Sequence, residues 1–246
     1  MWQRAAIQTV LETIFPPHCI SCGCAVSELG ALCANCWKET AFITGSTCDK
    51  CGVPLIGEPS DHPEYCDDCL EIERPWDKGR AALLYKDNGR KIVLALKHGD
   101  RLEIARPAGR WMHSAVREFV SEKTVVVPVP LHWTRFWRRR YNQSALLAAS
   151  IAHQAKVPYV PDLLKRTGRT KPMDGLTRDE RFALIAGQIA YREKRANQVK
   201  GKEVLLVDDV MTSGATLAAS AEACLSAGAK LVCVVVLARV KKDAYF

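Results

Sequence analysis

The feature that most narrows what this chain can become is a run of four Cys-x-x-Cys pairs near its start: Cys19/Cys22, Cys33/Cys36, Cys48/Cys51 and Cys66/Cys69. A two-residue gap lets both thiolates of one knuckle face a single ion, and a second knuckle completes a tetrahedron. Gly23 and Gly52 directly follow their knuckles, where the backbone must turn tightly. The four pairs therefore predict two zinc sites, each with four cysteine ligands. With every thiolate committed, neither site keeps an open position for a substrate, so the zinc is structural. Pairing the first with the second knuckle and the third with the fourth is simplest; a crossed arrangement stays open. Cys24 is read as a bystander. Cys224 and Cys233 stand apart and read as small buried hydrophobes.

Disulfides are the alternative use of so many cysteines, and they need an oxidising compartment. Nothing at the N-terminus directs export: Glu12 interrupts the apolar stretch, Pro16 and Pro17 end it, and no small-residue cleavage site follows. Ile7, Val10, Leu11 and Ile14 recur at helical spacing and predict a short amphipathic helix there. No apolar run approaches the ~20 residues of a membrane span. A cytoplasmic protein without such a span is the expectation.

Residues 15–75 hold few apolar runs and cannot bury much core, so the metal acts as a staple. Past Pro75 the character changes. Apolar runs at 81–85, 125–129, 204–207 and 231–237 suit buried strands, and residues 90–97, 104–120, 143–155 and 215–227 read as helices. Strands alternating with helices imply crossovers, hence an α/β fold with a mainly parallel sheet. Gly228 is placed to end the last helix in a left-handed conformation. Two parts are expected: residues 1–75, with the N-terminal helix and the double zinc ribbon, and residues 76–246.

The second constraining segment runs from Val204 to Thr216. An apolar strand is followed by Asp208, Asp209, Val210, Met211, Thr212, Ser213, Gly214, Ala215 and Thr216, and then a helix opens. Acids at the carboxyl end of a parallel strand sit where open α/β sheets place their ligands. Two carboxylates can accept hydrogen bonds from vicinal hydroxyls, as on a ribose. The hydroxyl-rich turn offers backbone N–H groups and a helix N-terminus, which suit a phosphate.

This segment resembles the binding motif for phosphoribosyl pyrophosphate (PRPP) of type I phosphoribosyltransferases. Other stretches narrow the resemblance to the ComF family, competence-associated proteins with a cysteine-rich N-terminus before a phosphoribosyltransferase domain. They are the cysteine pairs, Tyr85, Leu96-Lys97-His98-Gly99-Asp100, Val127-Pro128-Val129-Pro130-Leu131-His132, Tyr141-Asn142-Gln143, and Gly175-Leu176 with Arg178 and Arg181. The chain departs from that family at Arg140, where a glycine is usual, and at Met173 and Leu184, in place of Gln and Asn. The resemblance implies a type I phosphoribosyltransferase fold and PRPP bound with Mg²⁺. Asp208 and Asp209 would hold its ribose hydroxyls, and Thr212, Ser213, Gly214, Ala215 and Thr216 its 5′-phosphate. It also implies transfer of the phosphoribosyl group to an acceptor that no residue identifies. Sensing without turnover, and a part in DNA uptake, stay open as alternatives.

Arg135, Arg138, Arg139 and Arg140 follow the rigid Pro128-Val129-Pro130 turn, interleaved with Trp133, Phe136, Trp137 and Tyr141. Three readings stand side by side. The stretch could be a pyrophosphate loop built from Pro130, Leu131, His132 and the arginines, whose planar forks fit phosphate oxygens. It could be a surface for single-stranded DNA; for the chain as a whole, the resemblance also admits a DNA-uptake protein as a partner. It could be a solvated charge run. Lys97 could reach the pyrophosphate or simply complement its helix dipole. A net charge of +8 admits an anionic partner without choosing one.

Overall fold

The computed structural model describes residues 16–58, 60–98, 101–131, 141–168 and 177–241. The N-terminal amphipathic helix, Gly99-Asp100, His132, Trp133, Arg135, Phe136, Trp137, Arg138, Arg139, Arg140, Met173 and Gly175-Leu176 lie outside them. In chain order the elements are α1 (Ala34–Lys38), α2 (Asp67–Glu71), β1 (Gly79–Leu84), α3 (Asp87–His98), α4 (Ala105–Ala115), β2 (Thr124–Pro128), α5 (Gln143–Ala155), β3 (Leu164–Arg166), α6 (Arg178–Ile185), β4 (Ile189–Tyr191), α7 (Glu193–Ala196), β5 (Glu203–Met211), α8 (Ala215–Ser226) and β6 (Leu231–Arg239). The main sheet is four-stranded and parallel, in the order β1-β6-β5-β2; β3 and β4 pair antiparallel on their own.

Alternate strand residues face opposite sides. Val125, Val127, Leu206, Val234 and Val236 pack with α8 and with Cys48 and Cys51, whereas Val126, Leu205, Val207, Val235 and Leu237 pack with α3, α4 and α5. Both faces are covered, which is why these strands read as unbroken apolar runs. Burying each such side chain is worth roughly 1.5–3 kcal/mol, so a charge placed at Leu206 or Val235 would break the sheet at its centre. Cys224 and Cys233 are indeed buried within these layers, and burial pushes their thiols up to about 12 and about 11. Gly228 closes the turn after α8 with φ +91°.

Three differences from the sequence expectation have physical causes. The helix read over 104–120 shrinks to α4, flanked by 3-10 turns, because Val116 leaves helical backbone at φ −116°. Strand β5 continues through both aspartates to Met211 rather than stopping before them, since β6 pairs with it along that whole length. The β3–β4 pair and α6 were not anticipated. Three-residue strands are too short to show alternation, but α6 had a signal: Thr177 and Glu180 form a capping box in which each bonds the other's backbone N–H.

The cysteine-rich region packs directly on the sheet domain. Asn88 at the start of α3 is buried and donates to the Cys36 carbonyl (3.0 Å) and the Thr40 hydroxyl (2.8 Å), while accepting from Ser21. Beyond it, the Gly79 amide donates to the Asp49 carbonyl at 2.6 Å, and Trp76 Nε1 to the Lys50 carbonyl at 2.6 Å. Gly52 sits at φ +67°, and a Cβ there would come within 2.5 Å of the Ala81 amide nitrogen. Only glycine fits both the turn and the approach.

Candidate functional site

The thiols gather into two groups, Cys19/Cys22/Cys33/Cys36 and Cys48/Cys51/Cys66/Cys69, with all sulfurs of a group within 4.8 Å of one another. The first knuckle therefore joins the second, and the third joins the fourth. Zn–S bonds of about 2.3 Å set a tetrahedral S···S edge of about 3.8 Å. Cys22 and Cys33 sulfurs lie 3.7 Å apart and those of Cys51 and Cys66 3.6 Å apart, so the donor sets fit Zn²⁺. The Cys33 sulfur also caps α1 by accepting from the Cys36 amide. Cys24 lies outside both groups, although its sulfur is 3.4 Å from that of Cys22.

A cleft of about 890 Å³ opens at the carboxyl ends of the strands. It exists because β2 ends at Pro128, opposite Val207, while β5 continues paired only with β6. Asp208 and Asp209 line it. Each is held by the first turn of α5: the Ser144 hydroxyl donates to Asp208 (2.8 Å) and Gln143 Nε2 to Asp209 (2.8 Å). Asn142 fixes that turn by accepting from the Ser144 amide and donating to the Val129 carbonyl. Lys97, near the end of α3, pairs with Asp209 at 3.1 Å. To the two readings of Lys97 the geometry adds a third role, neutralising Asp209.

The two aspartates differ electrostatically. Burial pushes the Asp208 carboxyl up to about 7, and the neighbouring Asp209 charge adds to the effect; bonds from Ser144 and the Asp209 amide and the nearby Lys97 ammonium work against it. A carboxyl poised near neutrality holds its proton until a cation or a donor compensates the charge.

The turn after β5 completes one wall. Gly214, at φ +85°, is the N-cap of α8 and supplies no side-chain cap; the Ala215 amide donates to the Ser213 hydroxyl at 3.4 Å, and the helix N-terminus at this turn suits an anion. A Cβ on Gly214 would come within 2.8 Å of Arg74 Nη1 and 3.3 Å of Trp76. Thr212, Ser213, Ala215 and Thr216 also line the cleft, together with Tyr85, Pro130, Leu131, Arg166 and Arg181. Of the site residues expected from sequence, the described ones thus converge on this cleft or on the two sulfur groups; His132, Arg138, Arg139 and Arg140 lie outside the described residues. The sequence reading missed Ser144, Arg74, Arg166 and Arg239, whose roles depend on distant partners.

Comparison with known proteins divides the chain in the same sense. Residues 10–70 match the model of a double zinc ribbon domain, and residues 142–245 that of a phosphoribosyl transferase domain. The chain is 28% identical over 215 residues to "Competence protein F" of Haemophilus influenzae, covering 84% of this chain and 90% of that protein. It is 30% identical over 223 residues to "DNA utilization protein YhgH" of Salmonella typhimurium, covering 87% and 92%. With "Competence protein ComFC" of Bacillus subtilis it shares 25% identity over 205 residues, covering 80% and 79%. Among the described residues, no helix is long and apolar enough to cross a membrane.

Proposed function

The chain belongs to the ComF family, and from that premise we propose that its cleft binds Mg²⁺-complexed PRPP and transfers the phosphoribosyl group to an acceptor, releasing pyrophosphate. The observation that carries this is the acidic pair held by α5 directly beside an amide-rich turn that opens a helix, all within one cleft. Asp208 and Asp209 accept bonds from the ribose hydroxyls. The segment from Thr212 to Thr216 takes the 5′-phosphate. Pro130, Leu131 and Lys97, with His132, Arg138, Arg139 and Arg140, form the pyrophosphate side. Fixing the sugar at both its hydroxyls and its phosphate holds C1 in line for attack, and cationic side chains favour the charge that develops on the leaving group.

Mg²⁺ takes oxygen ligands. Asp209 is already matched by Lys97, so the ion would draw its oxygens from the ligand and from Asp208. When bound, it neutralises charge on the pyrophosphate. On this reading the division between ribbon and transferase parts lies near residue 75, and the protein works in the cytoplasm, where thiolates stay reduced. Pyrophosphate release measured with PRPP, Mg²⁺ and a panel of nitrogen bases tests the reaction; PRPP-induced stabilisation without release would reduce it to sensing, and neither would sink it. A second reading is handling of single-stranded DNA: the name of the Salmonella typhimurium relative speaks of DNA utilization, and the net charge of +8 admits an anionic polymer.

A further inference from the structure

The second cysteine group does more than staple the ribbon. Arg239, at the end of β6, is 3% exposed, and its Nη1 donates to the carbonyls of Met211 (3.2 Å), Thr212 (2.8 Å) and Val240 (2.6 Å). Its Nη2 points to the Cys51 sulfur at 3.8 Å. Among the described residues no carboxylate pairs with this guanidinium. A buried cation needs a compensating negative charge. Thiolates around Zn²⁺ supply it, because a centre of four thiolates and one Zn²⁺ is net negative.

A second buried arginine works beside it. Arg74 follows Cys69, the last ligand of the same group, and lies 5.4 Å from the Trp76 ring centroid. Its Nη1 donates to the Ser213 carbonyl at 2.8 Å. The successive carbonyls of Met211, Thr212 and Ser213 are therefore all taken from behind by guanidinium groups. In a trans peptide the C=O and the following N–H point in opposite directions. Holding those carbonyls turns the amides of Thr212, Ser213 and Gly214 away from the arginines, toward the cleft that these residues line. No hydrogen bond joins the first cysteine group to this turn among the described residues.

We infer that the second cysteine group, acting through Arg239 and Arg74, holds the turn from Thr212 to Thr216 in its anion-binding form, so that metal occupancy of that group and anion binding at the turn are thermodynamically coupled. Arg239 is a positioning residue: it touches the metal's ligand on one side and the turn's backbone on the other. Coupling is reciprocal, so a bound phosphate must retain the metal by the same factor by which the metal favours the phosphate.

The inference rests on the PRPP reading only for the identity of the anion. The test uses the full-length, zinc-loaded protein, the variants R239K and R239M, and two readouts. In the first, zinc release to a zinc-selective chromophoric chelator is timed with and without PRPP and excess Mg²⁺. Two phases are expected, and ligand should slow only the one assigned to the second group, on the order of tenfold. A Cys33→Ser protein, lacking the first site, makes that assignment. In R239K the lysine can keep a carbonyl but cannot span to the thiolate as well, so the protection should vanish while PRPP still binds, more weakly. Equal protection of both phases, or protection unchanged in R239K, would overturn the inference.

The second readout needs no ligand: hydrogen exchange at the amides of 212–214. Stripping zinc should speed it in the wild type and add little in R239M, where the link is already cut. If stripping speeds exchange equally in both proteins, Arg239 is not the connection. A wild type that binds no PRPP yet shows the exchange difference would refute the proposed ligand and leave the zinc-to-turn coupling standing.

Discussion

The two cysteine groups have the same motif and the same sulfur geometry, yet they sit in different surroundings. In the first, Cys22 is exposed although Cys19 and Cys36 are buried, and the group meets the sheet domain through Asn88 on α3 and through Ile20, which packs in the layer with α3, α4 and α5. In the second, Cys48 and Cys51 are fully buried within the core layer that also contains α8 and the inner strand residues. A local pattern of ligands thus fixes how a knuckle folds but not what the knuckle supports. The first group closes a peripheral loop system, whereas the second forms part of the sheet domain's own core.

The largest effect should come from breaking this contrast at the ligands. Metal analysis is expected to find close to two zinc ions per chain, as the two groups require. Cys33→Ser and Cys66→Ser should each remove one, at a local cost on the order of several kcal/mol, because metal binding to such modules is coupled to their folding. They should differ in reach. Cys33→Ser should leave PRPP-induced thermal stabilisation nearly intact, while Cys66→Ser should abolish it. Iron with visible charge-transfer absorption, or oxidised cysteines without metal, would end the zinc assignment; equal loss of ligand response in both variants would end the contrast.

Next in size is the acidic pair. Replacing Asp208 and Asp209 together by Asn should remove charge-assisted bonds to two hydroxyls and weaken PRPP binding by about 2–4 kcal/mol. Zinc content should stay unchanged, which separates the ribose contacts from the metal-dependent turn. Calorimetry showing equal affinity in the double variant would move the ribose site elsewhere.

Acidity should pull the two regions in opposite directions. Zinc thiolates are lost as protons compete, so the ribbon weakens as pH falls. The Asp208 carboxyl has the reverse sign. Folded, it keeps its proton up to about pH 7, whereas unfolded it releases it near 3.8. The native chain therefore holds the extra proton between those values, and the associated stability is present at low pH and lost as pH climbs through 7. Between pH 5 and 8 this amounts to on the order of 2 kcal/mol. Asp208→Asn should stabilise the ligand-free protein at pH 8 more than at pH 5, as melting curves at the two values would show. An identical gain at both would mean that Asp208 is already ionised in the fold.

What the sequence disclosed follows the same division between local and distant. The knuckles and the Asp208-Asp209 pair with its Gly214 turn are contiguous patterns whose chemistry is carried by spacing. The parallel strands were legible because burial on both faces leaves unbroken apolar runs. Arg74 and Arg239 gave no such signal. Their partners lie 139 and 188 residues away, so an isolated basic residue looked like surface charge until the fold buried it against a carbonyl and a thiolate. Ser144 was hidden for the same reason, adjacent to a noticed stretch but pointing to an aspartate 64 residues on.

The smallest expected effect tests whether the arginine stretch or the ribbon meets DNA. With a net charge of +8 and arginines interleaved with aromatics at 135–141, the protein should bind single-stranded DNA weakly, with affinity falling steeply as salt rises. Each phosphate contact contributes about 0.7 to the log–log salt slope for single strands. Replacing Arg138, Arg139 and Arg140 by Ala should lower the slope by up to about 2, as well as weaken binding, if each arginine holds one phosphate. Cys33→Ser, which disturbs the outward ribbon alone, should leave the slope as it was. The reverse pattern would assign DNA to the ribbon and free the arginines for pyrophosphate. The two uses of the arginines can also be separated directly: a pyrophosphate-binding loop loses DNA when PRPP and Mg²⁺ are added, because both compete for the same guanidinium forks. DNA affinity indifferent to PRPP would place the strand elsewhere on the molecule, and no binding at low salt would remove DNA handling from this chain.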